Sequence, residues 1–170
     1  MTSRREFFRK VNPHIKEDVS LVIRPPYGLD DLLFQTGCIT CESKACVSAC
    51  EEEIIMIDEN QTPTLDFSQK GCTFCDACAV ACDKGVLSVE HAHTSEKINA
   101  NFMISLDTCV AHHEVICFSC KEPCIDDAIL FNGMFNPVID MNLCTACGYC
   151  VGRCPTEAIT YTPTIMIKEG

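Results

Sequence analysis

Short runs of aliphatic and aromatic residues recur along the chain, separated by polar segments rich in Asn, Gly and Pro. Each run is four or five residues long and carries β-branched or aromatic side chains, which is typical of strands rather than helices. Turn-forming residues at 58–63 and 132–137 separate neighbouring runs and favour hairpins. The predicted strands are Ile54–Ile57, Thr64–Phe67, Val86–Val89, Phe102–Leu106, Ala128–Phe131, Pro137–Asp140 and Ala158–Tyr161.

The first part of the chain lacks these runs. An amphipathic helical stretch with Phe7, Phe8 and Val11 on one side is predicted there, followed by an extended, turning segment at Arg24–Gly28, because each of its prolines restricts the residue before it. The polar stretch 91–100, which precedes the predicted strand Phe102–Leu106, is interpreted as a linker. The predicted division is an N-terminal basic arm at 1–36, a first module at 37–90, a linker at 91–100 and a second module at 101–170.

Composition changes the expected nature of the core. The 170 residues are 47% hydrophobic, but 16 of them are cysteines and none is Trp. Modules this small usually need a metal or a covalent cross-link to fold. We therefore expect bound metal to replace much of the apolar core.

The cysteines fall into four groups of four, and each group ends in C-x3-C. The last group, at Cys144–Pro155, reads C-x2-C-x2-C-x3-C-P, the spacing of bacterial ferredoxins, in which the fourth cysteine ligates a different iron-sulfur cluster from the first three. The second group, Cys72–Cys82, has the same spacing. In the first group, Cys38–Cys50, the gap between the second and third cysteines is longer. In the third group, Cys109–Cys124, the gap between the first and second cysteines is longer. No cysteine is left over.

The crossing of the fourth ligand predicts four [4Fe-4S] clusters, each saturated with thiolates and therefore without an open iron for catalysis. The fold class expected is α+β, with two tandem dicluster ferredoxin-like modules of short hairpins and a short helix beginning near the fourth cysteine of each motif. The predicted ligands are Cys38, Cys41, Cys46 and Cys82 for cluster 1; Cys72, Cys75, Cys78 and Cys50 for cluster 2; Cys109, Cys117, Cys120 and Cys154 for cluster 3; and Cys144, Cys147, Cys150 and Cys124 for cluster 4.

Disulfides and zinc sites are the two other uses of so many cysteines. A disulfide-rich secreted scaffold is disfavoured, because no apolar signal segment opens the chain and the longest aliphatic run, Ile54–Ile57, is far too short to span a bilayer. Zinc sites are disfavoured, because zinc ribbons usually separate their two C-x2-C knuckles by about 15–20 residues. No membrane span is expected.

Net charge is −11, and it is unevenly distributed. Residues 1–24 contain six basic and three acidic side chains, which gives +3 and leaves −14 for the remainder. An acidic body argues against nucleic acid as the partner and suits docking on a basic protein surface. The pair Arg4-Arg5 is similar to a twin-arginine export motif, but the residues that follow are polar, so we expect a cytoplasmic protein.

Three further features bear on activity. The chain has no phosphate-binding loop, dinucleotide fingerprint or recognisable nucleophilic triad, so we expect an electron-transfer or maturation protein rather than an enzyme. The acidic run Glu51–Glu53 is either a solvated face or a set of charges that disfavours reduction of a nearby cluster. The loop with His112 and His113 either couples protons to a cluster or has no redox role.

The order of these features resembles NapF-type ferredoxins, accessory proteins of the periplasmic nitrate reductase system. The matching residues are Ser3–Arg5, Ile23–Pro26, the compact second motif, the long gap from Cys109 to Cys117, and the terminal motif ending in Pro155. The resemblance covers nearly the whole chain. One departure is the spacing from Cys41 to Cys46, where two intervening residues are expected instead of four.

The resemblance implies a cytoplasmic protein that binds the precursor of the nitrate reductase catalytic subunit before export. It would assist maturation or loading of the client's own cluster, and a redox donor protein is a further expected partner. The alternative is a polyferredoxin subunit that carries electrons within a larger oxidoreductase complex. A maturation factor should bind its client transiently, whereas an electron-transfer subunit should copurify with a stable complex.

Overall fold

Six short strands in the described residues form three separate two-stranded antiparallel sheets. The structure is a computed structural model that describes residues 22–94 and 96–164. The predicted amphipathic stretch with Phe7, Phe8 and Val11 therefore lies outside the described residues. The strands are β1 Ile55–Ile57, β2 Pro63–Leu65, β3 Ala100–Ile104, β4 Ile129–Asn132, β5 Phe135–Ile139 and β6 Ile159–Pro163.

Two of the sheets are the predicted hairpins. Strand β1 pairs with β2, so that Ile55 lies opposite Leu65, and strand β4 pairs with β5, so that Ile129 lies opposite Ile139. The third sheet is not a hairpin, because β3 and β6 are the first and last strands of the second module. Its register places Phe102 opposite Tyr161. This long-range pair closes the second module around the two motifs between its strands.

The prediction of a strand at Val86–Val89 is wrong, because only one of these residues forms a β-bridge. Leu87 forms an isolated antiparallel bridge with Gly28, and a 3₁₀ helix follows at Val89–Thr94. The facing segment contains Pro25 and Pro26, which have no N–H to donate to a ladder. The first module therefore lacks the equivalent of the β3–β6 sheet.

Helices are short and lie elsewhere than predicted. They are α1 Asp31–Leu33, which continues as a π-helical turn at Phe34–Cys38, α2 Ala45–Ser48, α3 Ala77–Val80 and α4 Tyr149–Arg153. The prediction that each motif's helix begins near the fourth cysteine is wrong, because α2, α3 and α4 contain the third cysteine and end before the fourth. Each begins directly after a residue in the left-handed conformation, Lys44, Asp76 or Gly148, which turns the chain into the helix.

The third motif forms turns rather than a helix between its last two cysteines. Its intervening residues are Lys121, Glu122 and Pro123. Proline has no N–H for a helical hydrogen bond, and its ring restricts the residue before it. The expectation of a helix near the fourth cysteine is therefore wrong for this motif, whose 3₁₀ helix lies instead at Val110–His113, directly after its first cysteine.

The segment 22–36, which the sequence assigns to the arm, packs against the first module. Arg24 is 2% exposed and donates hydrogen bonds from its guanidinium to Thr62 Oγ1 at 2.6 Å and to Asp31 Oδ1 at 2.7 Å. The guanidinium carbon lies 4.9 Å from the ring centroid of Phe34, which is fully buried. Because the buried cation is paired and hydrogen-bonded, this segment is fixed on the module.

Large apolar side chains from both modules meet in one buried core. Its large members are Ile23, Tyr27, Phe34, Ile54, Ile55, Leu65, Phe67, Val86, Leu87, Ile98, Phe102, Ile129 and Ile159. The partly buried residues packed against the main core include cysteines from all four motifs. In the described part of the chain, no helix is long and apolar enough to cross a membrane.

Candidate iron-sulfur sites

Four cavities in the structure are each lined by four cysteines. Three cysteines of each cavity come from one motif, and the fourth is the last cysteine of the other motif in the same module. We call these quartets the first to fourth ligand sets. They are Cys38, Cys41, Cys46 and Cys82; Cys50, Cys72, Cys75 and Cys78; Cys109, Cys117, Cys120 and Cys154; and Cys124, Cys144, Cys147 and Cys150.

The structure thus brings together each of the quartets predicted from the sequence, while their ligation of iron stays a prediction. Thiolates are the soft donors that hold iron-sulfur clusters. The thiols of each set surround a cavity instead of meeting at one point, and all 16 are free of disulfides. The donor chemistry and the shape of the sites therefore fit a cluster.

Backbone geometry in the cysteine loops directs N–H groups at the sulfur atoms. Phe74 and Ala146 have positive φ angles of 56° and 61°. The amide of Phe74 donates to Cys72 Sγ at 3.4 Å, and that of Ala146 is hydrogen-bonded to Cys144. Such bonds stabilise negative charge on a sulfur and on a cluster bound to it. Backbone amides therefore approach these two sulfurs from residues two positions after the cysteine.

Two fourth cysteines accept hydrogen bonds from farther along the chain. Leu87 donates its N–H to Cys82 Sγ at 3.4 Å, and Ala158 donates its N–H to Cys154 Sγ at 3.2 Å. Both donors lie in the apolar runs that follow the motifs. These runs therefore orient the crossing cysteines as well as contribute to the core.

Burial raises the pKa of eight of the cysteine thiols, at least one in each ligand set. It raises the pKa of Cys78 to about 12, and the neighbouring charges of Cys72, Cys75 and Cys46 act in the same direction. Burial likewise raises the pKa of Cys150 to about 12, with Cys147 the next contributor. Metal binding to such thiols releases protons, so loading of the sites is favoured as pH rises.

Charged side chains differ between the four cavities. Two lysines, Lys44 and Lys84, and one carboxylate, Asp83, line the first cavity. Glu51, Glu52 and Asp76 line the second, and Asp126 lines the fourth. A nearby cation stabilises an added electron, whereas a nearby carboxylate disfavours it. The glutamates were predicted from the acidic run, but Lys44 was missed. It occupies the unusually long gap between Cys41 and Cys46, which was the available signal.

Lys44 also shows how that long gap is accommodated. Its φ angle is 45°, and its ammonium donates to the carbonyl oxygens of Cys38 and Gln61, both at 2.6 Å. Ser43 donates to Asp83 Oδ2 at 2.8 Å. The two extra residues therefore anchor the loop to both ends of the first module and leave Cys41 on the cavity.

The acidic run is only partly solvated. Glu51 and Glu53 are exposed, whereas Glu52 is half-buried and its carboxylate lies 3.9 Å from Lys70 Nζ. Burial raises the pKa of Tyr149 in the second module to about 12, and the charge of Glu52 is the next cause. Glu51 and Glu53 therefore fit the solvated face, and an effect of Glu51 and Glu52, which line the second cavity, on the reduction of a cluster stays a prediction.

The two loop histidines do not line the third cavity. The ring of His112 is hydrogen-bonded to Asn136 Oδ1 at 3.1 Å and to the Pro137 carbonyl at 3.3 Å, and that of His113 to the Asp107 carbonyl at 3.0 Å. These contacts connect the long gap of the third motif to strand β5 and to the preceding turn. The geometry supports the interpretation without a redox role.

Comparison with known proteins identifies the class. Residues 37–86 match a family model described as a 4Fe-4S dicluster domain, and residues 137–160 match one described as a 4Fe-4S binding domain. Together with the cysteine-lined cavities, these matches define an iron-sulfur protein of the ferredoxin type. Ferredoxin-type iron-sulfur proteins are generally electron carriers rather than enzymes that convert a substrate.

Individual relatives give the family. The chain is 36% identical over 142 residues to ferredoxin-type protein NapF of Escherichia coli, covering 81% of this chain and 83% of the relative. It is 31% identical to NapF of Haemophilus influenzae, covering 81% and 77%. It is 29% identical to the methylamine utilization ferredoxin-type protein MauM of Methylophilus methylotrophus, covering 78% and 66%. The chain belongs to the NapF family of ferredoxin-type proteins.

Proposed function

We propose that each of the four ligand sets holds one [4Fe-4S] cluster. The observation that carries this proposal is that every cavity is lined by three cysteines of one motif and the last cysteine of its partner motif. A bound cluster supplies one-electron redox chemistry. The chain itself contributes buried thiols, N–H donors directed at sulfur and a different set of charges at each site.

We further propose that the protein is a cytoplasmic accessory factor for the periplasmic nitrate reductase. It binds the precursor of the catalytic subunit before export and assists its maturation or cluster loading, by electron transfer. Membership of the NapF family supports this proposal, as does the combination of a basic N-terminal segment with an acidic, cysteine-rich body. A redox donor protein is a second proposed partner, since the sequence shows no nucleotide-binding motif.

Anaerobic affinity capture tests the client. Holoprotein carrying a C-terminal tag is mixed with the catalytic subunit, either as its cytoplasmic precursor or as the mature periplasmic enzyme. We expect retention of the precursor and little retention of the mature enzyme. Stable copurification with a membrane-bound or soluble oxidoreductase complex, without capture of the precursor, would instead establish the polyferredoxin alternative.

The basic segment offers a sharper version of this experiment. Deletion of residues 1–20 removes Arg4, Arg5, Arg9 and Lys10, so capture of the precursor should weaken. A higher salt concentration should also weaken capture by the full chain, because salt screens charge contacts. The iron content should not change, which serves as the control. If the truncated protein captures the precursor as well as the full chain while cysteine variants do not, recognition lies on the cluster-bearing body.

A further inference from the structure

The two modules meet along a seam that lies directly between two ligand sets. We define the seam as residues 69–72 of the first module and 147–152 of the second. The N–H of Cys72, from the second ligand set, donates to the carbonyl of Cys147, from the fourth, at 2.7 Å. Two predicted cluster ligands in different modules are therefore joined by one hydrogen bond.

Glycines allow this close approach. A Cβ on Gly71 would lie 2.5 Å from the amide nitrogen of Tyr149 and 2.6 Å from the Cys147 carbonyl oxygen. A Cβ on Gly152 would collide with the backbone carbonyl of Gln69. Real Cβ atoms essentially never approach so closely, and backbone atoms cannot move aside as a flexible side chain can. The seam thus depends on the absence of side chains at these two positions.

Contacts on both sides of the seam hold the modules in place. Phe67 of the first module packs on Phe102 and Tyr161 of the second, with ring centroids 5.5 and 5.3 Å apart, and the Tyr161 hydroxyl donates to Asp66 Oδ1 at 3.2 Å. Asn99 accepts from the Arg24 N–H and donates to the Val22 carbonyl, both at 2.8 Å. The orientation of the modules is therefore determined by packing as well as by the linker.

The position of the seam gives the spatial order of the sites. In the first module, Cys50 and Cys82 cross between the motifs, so the first and second ligand sets lie side by side. In the second module, Cys124 and Cys154 do the same for the third and fourth sets. Because the seam joins Cys72 of the second set to Cys147 of the fourth, the order is first, second, fourth, third, with the seam at its centre.

We propose that the glycine seam is an electronic junction that makes the four sites one continuous series instead of two independent pairs. This inference rests on the ligand assignment proposed above. Clusters held by the second and fourth ligand sets would exchange single electrons across the seam, one being oxidised as the other is reduced, with no proton or covalent bond changing. Gly71 and Gly152 are positioning residues, since they act by allowing the Cys72–Cys147 hydrogen bond.

Gly152→Ala is the main test. Gly152 lies in α4 with ordinary helical backbone, where Ala would normally favour the helix. Here the added methyl should force the modules apart. By hydrogen-deuterium exchange of the oxidised holoprotein, we expect the Cys72 amide to exchange at least about tenfold faster, as for an amide whose hydrogen bond opens locally. In the fully reduced protein, the electron paramagnetic resonance spectrum should simplify to that of two separate interacting pairs.

Ser48→Ala is the matched control. Ser48 occupies the same place in the first motif, two residues before the fourth cysteine, and its side chain is exposed. It should leave both the exchange rate and the spectrum unchanged. Gly71→Ala provides a second seam variant outside all four cysteine motifs, and it should behave as Gly152→Ala does.

Iron analysis separates the possible failures. About 16 irons per chain with faster exchange but an unchanged reduced spectrum in the seam variants would overturn the junction and leave the ligand assignment intact. A wild-type reduced spectrum that already equals two independent pairs would overturn it without any variant. About eight irons in the wild-type protein would overturn the ligand assignment and the junction together.

Discussion

Destruction of the iron-sulfur clusters should unfold both modules. A structural metal site contributes on the order of 10 kcal/mol of folding free energy. The net stability of a typical domain is only about 5–15 kcal/mol. Loss of four sites should therefore remove more stabilisation than either module can spare, and each module should unfold in the absence of denaturant.

The helices and sheets of the described fold are too small to hold it without tertiary contacts. Its helices α1 to α4 are three to five residues long, too short to persist on their own. Its sheets have two strands each, and an isolated two-stranded hairpin is marginal in water. The large buried side chains form one core with predicted ligands, so destruction of the clusters should open that core to water.

Circular dichroism and hydrogen-deuterium exchange before and after anaerobic oxidation with a chelator would measure this effect. We expect loss of protection throughout residues 22–94 and 96–164, with recovery when iron, sulfide and reductant are restored. A mock treatment without oxidant should leave the protein folded. A cluster-free protein that keeps native protection in β3 and β6 would show that the apolar core of the second module is sufficient.

The second large effect concerns the crossing of ligands between motifs. Cys50→Ser should change the cluster in the second cavity, because Cys50 lines that cavity with Cys72, Cys75 and Cys78. Serine oxygen is a harder donor than thiolate, so the altered cluster should become labile or shift its potential. The same electron paramagnetic resonance signal should change in Cys50→Ser and in Cys78→Ser.

Two other variants provide the comparison. Cys82→Ser should change the signal that Cys46→Ser changes, since both residues line the first cavity. Val80→Ala, two residues before Cys82 with a side chain that is 73% exposed, should change neither signal. If Cys50→Ser instead alters the signal that Cys46→Ser alters, each motif keeps its own cluster and the crossing is wrong.

Sequence spacing was sufficient to predict which thiols lie together, because the quartets depend only on the order of cysteines and on the crossing within each module. Apolar periodicity also predicted β1, β2, β4 and β5, which are joined by local turns. The apolar runs are a short-range signal, which reports where the chain turns and which residues of a short segment are buried. The cysteine spacing reaches further, because the crossing brings together residues as distant as Cys38 and Cys82.

Features that depend on distant contacts could not be predicted in this way. The pairing of β3 with β6 joins residues about 60 positions apart, and the failure of Val86–Val89 to form a strand depends on prolines in the facing segment. Gly71 and Gly152 are ordinary glycines in the sequence. Their role at the seam became visible only when the backbone atoms of the other module were placed against them.

The predicted helix positions were wrong for a local reason. The left-handed residues that begin the helices are Lys44, Asp76 and Gly148, of which only the last has the glycine signal expected for a positive φ angle. In the third motif, Pro123 prevents the helix. The cysteine spacing is thus compatible with both helical and turn conformations, and the residues between the cysteines decide which one forms.

The central claim is that all 16 cysteines act together as four cluster-binding sets. Quantitative iron and acid-labile sulfide analysis of anaerobically purified protein, normalised to amino-acid analysis, tests it most directly. We predict about 16 iron and about 16 sulfide per chain. About eight of each would mean that one module carries no clusters, and zinc in place of iron would contradict the account altogether.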